Sequence, residues 1–161
     1  MYITVRAYKN EEIPQMVSIW NEVVNEGMAF PQIDTLTVDE GYRFFAEQTL
    51  TAVAEENGIV QGLYILPPNN IGRCSHISNA SFAVASYAKG RGIGEKLVRH
   101  CLENAGRFGF KILQFNAVVV SNKAATALYD KLGFEKLGVI PQGFLNKNNT
   151  YEDIILYYHK V

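Results

Sequence analysis

The apolar and polar positions at the start of the chain follow two periods, one of a strand and one of a helix. Ile3–Tyr8 alternates apolar and polar side chains, which is typical of a half-buried strand. Apolar residues then recur every three or four positions, which predicts a helix that ends at Gly27. These residues are Ile13, Met16, Ile19, Trp20, Val23 and Val24. Ala29–Leu36 is expected to be a loop, and Thr37 with Glu40 forms the capping-box pattern of a second helix.

A β-hairpin is predicted around Asn57-Gly58, because this dipeptide tolerates the positive φ angles of a type I′ turn. Its two strands would be Thr51–Glu56 and Ile59–Leu66. The glutamates beside the turn, Glu55 and Glu56, are expected at a solvated edge.

The second half of the chain predicts further strands in alternation with helices. A strand over Ser75–Ala85 is followed by a glycine-rich segment and a helix that begins near Ile93. The later elements are an apolar strand at Lys111–Val120, a helix at Asn122–Leu132 and strands at Glu135–Ile140 and Thr150–Tyr158. No repeat, linker or low-complexity tract divides the chain. The pattern therefore indicates one mixed α/β domain over residues 1–161.

Charge and hydropathy exclude several classes of partner. The 161 residues include 15 Lys plus Arg and 16 Asp plus Glu, which gives a formal charge of −1. This balance offers no electrostatic case for a nucleic acid or an anionic membrane. No apolar run approaches the ~20 residues of a membrane helix. Met1–Arg6 lacks the pattern of a signal peptide. We therefore expect a cytoplasmic protein with neither kind of partner.

The cysteines and histidines do not have the spacing of a metal site. Cys74 and Cys101 are too few for a disulfide framework and too far apart for a CxxC pair. His76, His100 and His159 lack the spacing of zinc ligands. We expect no bound metal.

The segment Lys89–Gly94 lies between a predicted strand and a predicted helix and contains three glycines. Unpaired backbone amides at a helix start suit a phosphate group, and glycines let the ligand approach the backbone. The other interpretation is a tight turn that binds nothing. A dinucleotide fingerprint would need a glycine where Glu95 stands, and the Gly-Lys-Ser/Thr of a Walker A loop is absent.

Two motifs in order resemble those of the GNAT superfamily of N-acetyltransferases. Lys89-x-x-Gly92-x-Gly94 is similar to its acyl-CoA pyrophosphate motif Gln/Arg-x-x-Gly-x-Gly/Ala, with lysine in the first place. Downstream, the segment from Asn122 to Phe134 resembles the superfamily helix Asn-x-x-Ala-x-x-Leu-Tyr-x-x-x-Gly-Phe. The resemblance is closest over residues 75–135 and extends to the order of elements in the whole chain.

The resemblance implies a fold, a cosubstrate and a set of site residues. The fold would be a mixed central sheet, flanked by helices, whose middle strands Ser75–Ala85 and Lys111–Val120 splay apart. Acetyl-CoA would lie in the gap, and a backbone amide near Val84 would polarise the thioester carbonyl. The implied cofactor-binding residues are Phe82, Ala83, Val84, Lys89, Gly90, Arg91, Gly92, Ile93, Gly94, Asn122 and Tyr129.

Tyr129 matches the tyrosine that protonates the leaving thiolate in the superfamily, where the amine attacks the thioester directly. The other interpretation of Tyr129 is an aromatic residue on the core face of a helix. A general base is less evident, because His76 is the only imidazole or carboxylate between Cys74 and Ser86. His76, a chain of water molecules and an acceptor that arrives as free amine remain open.

Polar uncharged side chains on the two splayed strands indicate a neutral acceptor pocket. Segments around Asn79, Asn116 and Asn122 are similar to fungal acetyltransferases that act on azetidine-2-carboxylate and other proline analogues. There the matching asparagines lie around the amino-acid substrate. The Trp20–Phe30 region is similar to the phosphinothricin acetyltransferase branch. Both resemblances imply a small amino or imino acid as acceptor. The asparagines could instead satisfy strand ends or bulges.

Three other functions remain open at this point. They are acetylation of a peptide or protein amine, acetylation of a polyamine or aminoglycoside, and acyl-CoA binding without catalysis. Because relatives are often dimers, a homodimer is also open.

Overall fold

Eight strands in two four-stranded sheets and four α-helices make up the part of the chain that the computed structural model describes, residues 2–161. The strands are β1 Thr4–Ala7, β2 Leu50–Glu56, β3 Ile59–Leu66, β4 Ile77–Ser78, β5 Ser81–Val84, β6 Ile112–Val119, β7 Glu135–Leu145 and β8 Tyr151–Lys160. The helices are α1 Ile13–Glu26, α2 Val38–Ala46, α3 Ile93–Asn104 and α4 Lys123–Lys131.

The first sheet has the strand order β1-β2-β3-β5 and is antiparallel throughout. The second has the order β4-β6-β8-β7, in which only β4 and β6 are parallel. The mixed α/β architecture expected from the sequence is confirmed. The two sheets meet where β5 and β6 diverge, so the splayed middle strands are present as well.

The strand predicted over Ser75–Ala85 is not continuous. It pairs with β6 at Ile77 and Ser78 and then crosses to pair with β3 from Ser81 onward. At the crossing, the Asn79 amide donates to the carbonyl of Pro67 at 2.9 Å. The Asn79 side chain accepts a hydrogen bond from the Ala80 amide at 2.8 Å. These bonds satisfy backbone groups that leave the strand ladder.

The helix stripe predicted in the first part of the chain forms the core beneath the first sheet. All six of its apolar residues are buried, and Gly27 ends α1 in the left-handed conformation with φ of 62°. Burial of each of the larger side chains of this stripe stabilises the folded state by about 1.5–3 kcal/mol. Trp20 extends this core toward the crossing, because its ring packs 4.4 Å from Phe30 and 5.1 Å from Phe44.

The short-range predictions are confirmed with two corrections. Asn57 and Gly58 both have positive φ, and the Thr37–Glu40 capping box is formed. Glu56 is not at a solvated edge but buried, for a reason described below. The last hairpin is longer than predicted, since β7 continues to Leu145. None of the helices in residues 2–161 has the length and hydropathy needed to cross a membrane.

Candidate active site

A cavity of about 550 Å³ lies in the gap between β5 and β6. It is lined by Ala29, Phe30, Pro31, Gln32, Phe44, Gln48, Ile65, Pro67, Asn79, Ala80, Ser81, Phe82, Phe115, Asn116, Ala117, Val118, Val119, Asn122, Ala125 and Tyr129. Within the described residues β5 pairs with β3 alone, and beyond Leu113 the facing edge of β6 has no strand partner. Alternate backbone groups of both strands therefore point into the gap and are free to bind a ligand.

Tyr129 is placed at the cavity by the second motif. It projects from α4 and packs against Phe115, with ring centroids 4.6 Å apart, and against Phe134 at 5.3 Å. Burial, and then the neighbouring Cys101 thiol and Tyr157 phenol, raise the pKa of Tyr129 above its ordinary value. The phenol is therefore protonated at neutral pH. Tyr129 thus belongs to a core aromatic cluster and also faces the cavity.

The glycine-rich segment forms the turn from β5 into α3. Gly90 and Gly92 have φ angles of 78° and 75°, a backbone conformation that residues other than glycine rarely adopt. A Cβ atom at either position would meet no other atom within 4 Å, so open space lies next to the turn. Gly92 directly precedes α3, whose first amides have no partner within the helix. The turn therefore has the geometry of an anion-binding helix start.

The two cations of this turn are held by different acids. Lys89 Nζ lies 3.1 Å from Glu26 Oε1 on α1, in a pair whose members are both about half exposed. Arg91 Nη2 lies 2.6 Å from Glu56 Oε2, and the Glu56 side chain is only 6% exposed. The burial of Glu56, which the sequence did not predict, is thus accompanied by a counter-charge from the turn.

The three predicted acceptor asparagines all line the cavity, and each already has a partner in the protein. Asn79 accepts from the Ala80 amide, and Asn122 caps α4 by accepting from the Ala125 amide at 3.2 Å. Asn116 lies at an irregularity in the pairing of β6 with β8. The asparagines therefore stabilise strand breaks and a helix end, as well as presenting their remaining polar atoms to the cavity.

Asn116 is held by Asn69, a residue that sequence reasoning did not single out. The two side-chain amides exchange hydrogen bonds, at 2.5 Å from Asn116 Nδ2 and at 3.3 Å from Asn69 Nδ2. Gln114 Nε2 adds a bond of 3.1 Å to Asn116 Oδ1. The Pro67–Asn70 segment, expected only as a break after the hairpin, therefore fixes a cavity side chain. The polar run Pro-Pro-Asn-Asn gave no signal for this contact.

None of the described residues that line this cavity carries a carboxylate, an imidazole or a cationic group. His76, the candidate base from the sequence, is exposed and lies outside the lining. A smaller cavity of about 290 Å³ adjoins through Phe30, Pro31 and Gln32, and Lys147 is the one charged residue of its lining. Among residues 2–161 no group of three or more metal-ligating side chains is assembled.

Comparison with known proteins agrees with this geometry. A family model described as the acetyltransferase (GNAT) family matches residues 14–134. The chain belongs to the GNAT acetyltransferases. The N-acetyltransferase aca1 of Schizosaccharomyces pombe is 29% identical over 170 residues, which cover 94% of this chain and 81% of the relative. Both motifs of the sequence analysis lie within the matched region, so this enzyme family is also the one they indicated.

Solved structures show the same fold. A GCN5-related N-acetyltransferase from Kribbella flavida has a TM-score of 0.91 and 30% identity, over 99% of this chain and 98% of that one. A GNAT superfamily phosphinothricin acetyltransferase from Sinorhizobium meliloti, in complex with acetyl-CoA, has a TM-score of 0.91 and 21% identity. That match covers 100% of this chain and 89% of the other. The GNAT fold therefore extends over the described chain.

The amide pair of Asn69 and Asn116 should be measurable as a coupling in stability. We expect Asn69→Ala and Asn116→Ala each to lower the free energy of unfolding, because each removes both hydrogen bonds that the two amides exchange. The double variant should lose less than the sum, with a coupling of about 0.5–3 kcal/mol. Urea denaturation of the four proteins gives this value. Asn70→Ala is the matched control, since it should combine additively with Asn116→Ala. Additive losses for Asn69 and Asn116 would contradict the pairing.

Proposed function

We propose that this GNAT enzyme transfers the acetyl group of acetyl-CoA to the amine of a small amino or imino acid or a close analogue. One observation carries the proposal: a cavity whose lining combines apolar residues with uncharged amide side chains lies between the open edge of β5 and a protonated tyrosine. The edge suits the amides of a pantetheine arm, and the tyrosine suits a leaving thiolate. The neutral lining suits a zwitterion that is held by hydrogen bonds.

The donor would bind at the turn and along β5. Backbone amides from Gly90 to Gly94 would hold the pyrophosphate, and the exposed pair with Glu26 would leave Lys89 able to turn toward it. The backbone of Phe82, Ala83 and Val84 would pair with the pantetheine arm. Of these side chains only Phe82 lines the cavity, and that of Ala83 is buried in the core. The expected contact is therefore with their backbone.

The reaction forms a C–N bond and breaks the C–S bond of the thioester. One proton must leave the acceptor nitrogen, and one must reach the CoA sulfur. The acceptor nitrogen would attack the thioester carbon, whose oxygen would be stabilised by a backbone amide of β5. As the C–S bond breaks, the Tyr129 hydroxyl would give its proton to the CoA sulfur. The nitrogen would release its proton to water, because no side chain of the lining can accept it at neutral pH. Tyr129 would then regain a proton from solvent.

The charges around the cavity favour a small acid-bearing amine over a polycation. Polyamines and aminoglycosides are best held by carboxylates, and the lining contains none. The adjoining cavity adds Lys147, which would attract an anionic group and repel a polycation. Asn79, Asn116 and Asn122 would offer the remaining polar atoms of their amides to the acceptor. Peptide amines remain an outcome of the substrate test below.

Acetylation of a panel of amines, followed by release of the CoA thiol, tests this proposal. We expect turnover with azetidine-2-carboxylate, proline analogues, phosphinothricin or common amino acids, and little with polyamines, an aminoglycoside or short peptides. Tyr129→Phe should lower kcat roughly a hundredfold or more, the contribution of a general acid. It should leave the affinity for acetyl-CoA nearly unchanged.

Tyr151→Phe is the matched control, because Tyr151 is 60% exposed on β8 and outside the cavity. Turnover of Tyr129→Phe equal to that of the control would refute the role of Tyr129. Turnover confined to peptides or polycations would refute the acceptor class. Acetyl-CoA binding without turnover of any amine would favour the binding-module alternative.

The pH profile should report the acceptor and not a base of the enzyme. We expect kcat/KM to rise with pH as the acceptor's own amine loses its proton, so acceptors of different amine pKa give displaced profiles. Because the pKa of Tyr129 is raised above 10.0, its ionisation should cause no fall in rate before pH 10. His76→Gln should give the wild-type profile. A step that is shared by all acceptors and lost in His76→Gln would contradict this account.

A further inference from the structure

We infer that Glu56 positions the acetyl-CoA pyrophosphate turn by holding Arg91, and that the Arg91 guanidinium is an anchor of the turn and not a phosphate ligand. This inference rests on the proposed binding of acetyl-CoA at the turn. Neither motif contains Glu56, which lies on β2, more than thirty residues before the glycines. Its role is visible only in the folded protein.

A buried carboxylate without a counter-charge is costly to the fold. Glu56 is buried at the end of β2, where an ionised side chain needs both a counter-charge and hydrogen bonds. Within residues 2–161 Arg91 is the only cation in ion-pair contact with it, at 2.6 Å. If Arg91 moved to a phosphate, Glu56 would lose that partner. The pair is therefore expected to persist when acetyl-CoA binds.

The backbone of the turn has high conformational freedom of its own. Arg91 stands between Gly90 and Gly92, which both have positive φ and no packing contact at the Cβ position. A segment with this composition has high backbone entropy unless a side chain fixes it. Arg91 is the residue able to do this, because it reaches Glu56 and, at 3.4 Å, the side-chain oxygen of Gln61.

The hairpin of β2 and β3 also binds the segment that leads into the turn, at two points before Arg91. The Ala85 amide donates to the Gln61 carbonyl at 2.9 Å, and the Tyr87 hydroxyl donates to the Val60 carbonyl. Arg91 adds the last contact along this line. The hairpin of β2 and β3 therefore supports the turn from β5 to the start of α3.

The ion pair of Lys89 with Glu26 is more exposed than the pair of Arg91 with Glu56. Both partners are about half exposed, so this pair is weak and costs little to break. The two cations of the turn therefore have different roles. Lys89, in the first place of the motif, is able to move to the pyrophosphate, while Arg91 is retained by Glu56. Glu26→Gln is for this reason the matched control for Glu56→Gln.

Calorimetric titration with acetyl-CoA and steady-state kinetics with two donors test the inference. Glu56→Gln should weaken acetyl-CoA binding about tenfold, equivalent to ~1.4 kcal/mol. Arg91→Gln should do the same, and the double variant should be no weaker than the single ones. Turnover at saturating acetyl-CoA should fall far less than the affinity. With acetyl-pantetheine, which lacks the pyrophosphate, kcat/KM should be nearly that of the wild type. Glu26→Gln should bind acetyl-CoA at least as tightly as the wild type does, because it releases Lys89 from an exposed pair of little strength.

Each of the other possible outcomes would overturn a defined part of this inference. Tighter binding by Glu56→Gln would mean that Arg91 is a phosphate ligand that Glu56 restrains. Equal losses with acetyl-CoA and acetyl-pantetheine, or a loss of fold in thermal unfolding, would reduce Glu56 to a stabilising residue. Unchanged binding in Glu56→Gln and Arg91→Gln would remove the inference alone. If the wild type did not bind acetyl-CoA, the proposed function itself would fail.

Discussion

The unpaired backbone along β5 is the constraint on which the rest of the site depends. A strand in the interior of a domain normally has hydrogen-bonded neighbours at both edges, and among residues 2–161 β5 has a strand partner only on the side of β3. The chain reaches this state by leaving β6 after Ser78 and joining the first sheet at Ser81. Unsatisfied peptide groups next to a cavity are costly unless water or a ligand binds them. A cosubstrate with an extended amide-bearing arm would satisfy that requirement, and the proposed function places the donor at this gap for that reason.

The elements around the gap contribute different properties to one site. The β2–β3 hairpin supports the glycine-rich turn, α4 supplies a protonated phenol, and Trp20 holds the α1–α2 connection against the cavity. Asparagines stabilise the interruptions of the strands and leave the lining without charge. A neutral lining does not lower the pKa of the acceptor amine by charge repulsion, nor does it raise it by attraction. Chemistry in such a site depends on orientation of the reactants and on stabilisation of the departing sulfur.

The sequence predicted the parts of this account that rest on local spacing. Neighbouring residues determine such features, so the sequence was enough to predict them. They are the apolar stripe of α1, the Asn57-Gly58 turn, the Thr37 cap and the two motifs. Contacts between segments that are distant in the sequence could not be predicted from it. The burial of Glu56 depends on Arg91, and the orientation of Asn116 depends on Asn69, forty-seven residues away. His76 lies outside the cavity because the strand breaks after Ser78. The sequence pattern predicted one continuous strand over Ser75–Ala85 and gave no sign of this break.

Hydrogen exchange of the backbone amides, measured by mass spectrometry with and without saturating acetyl-CoA, tests the central claim most directly. The claim is that the donor pairs with the open edge of β5 and sits on the start of α3. The account predicts slower exchange in peptides that span Phe82–Val84 and Gly90–Gly94 when acetyl-CoA is present. Peptides that span β1 should exchange as before, because this strand lies at the far edge of the first sheet. Unchanged exchange at both predicted segments, or protection confined to the Lys147 cavity, would contradict it.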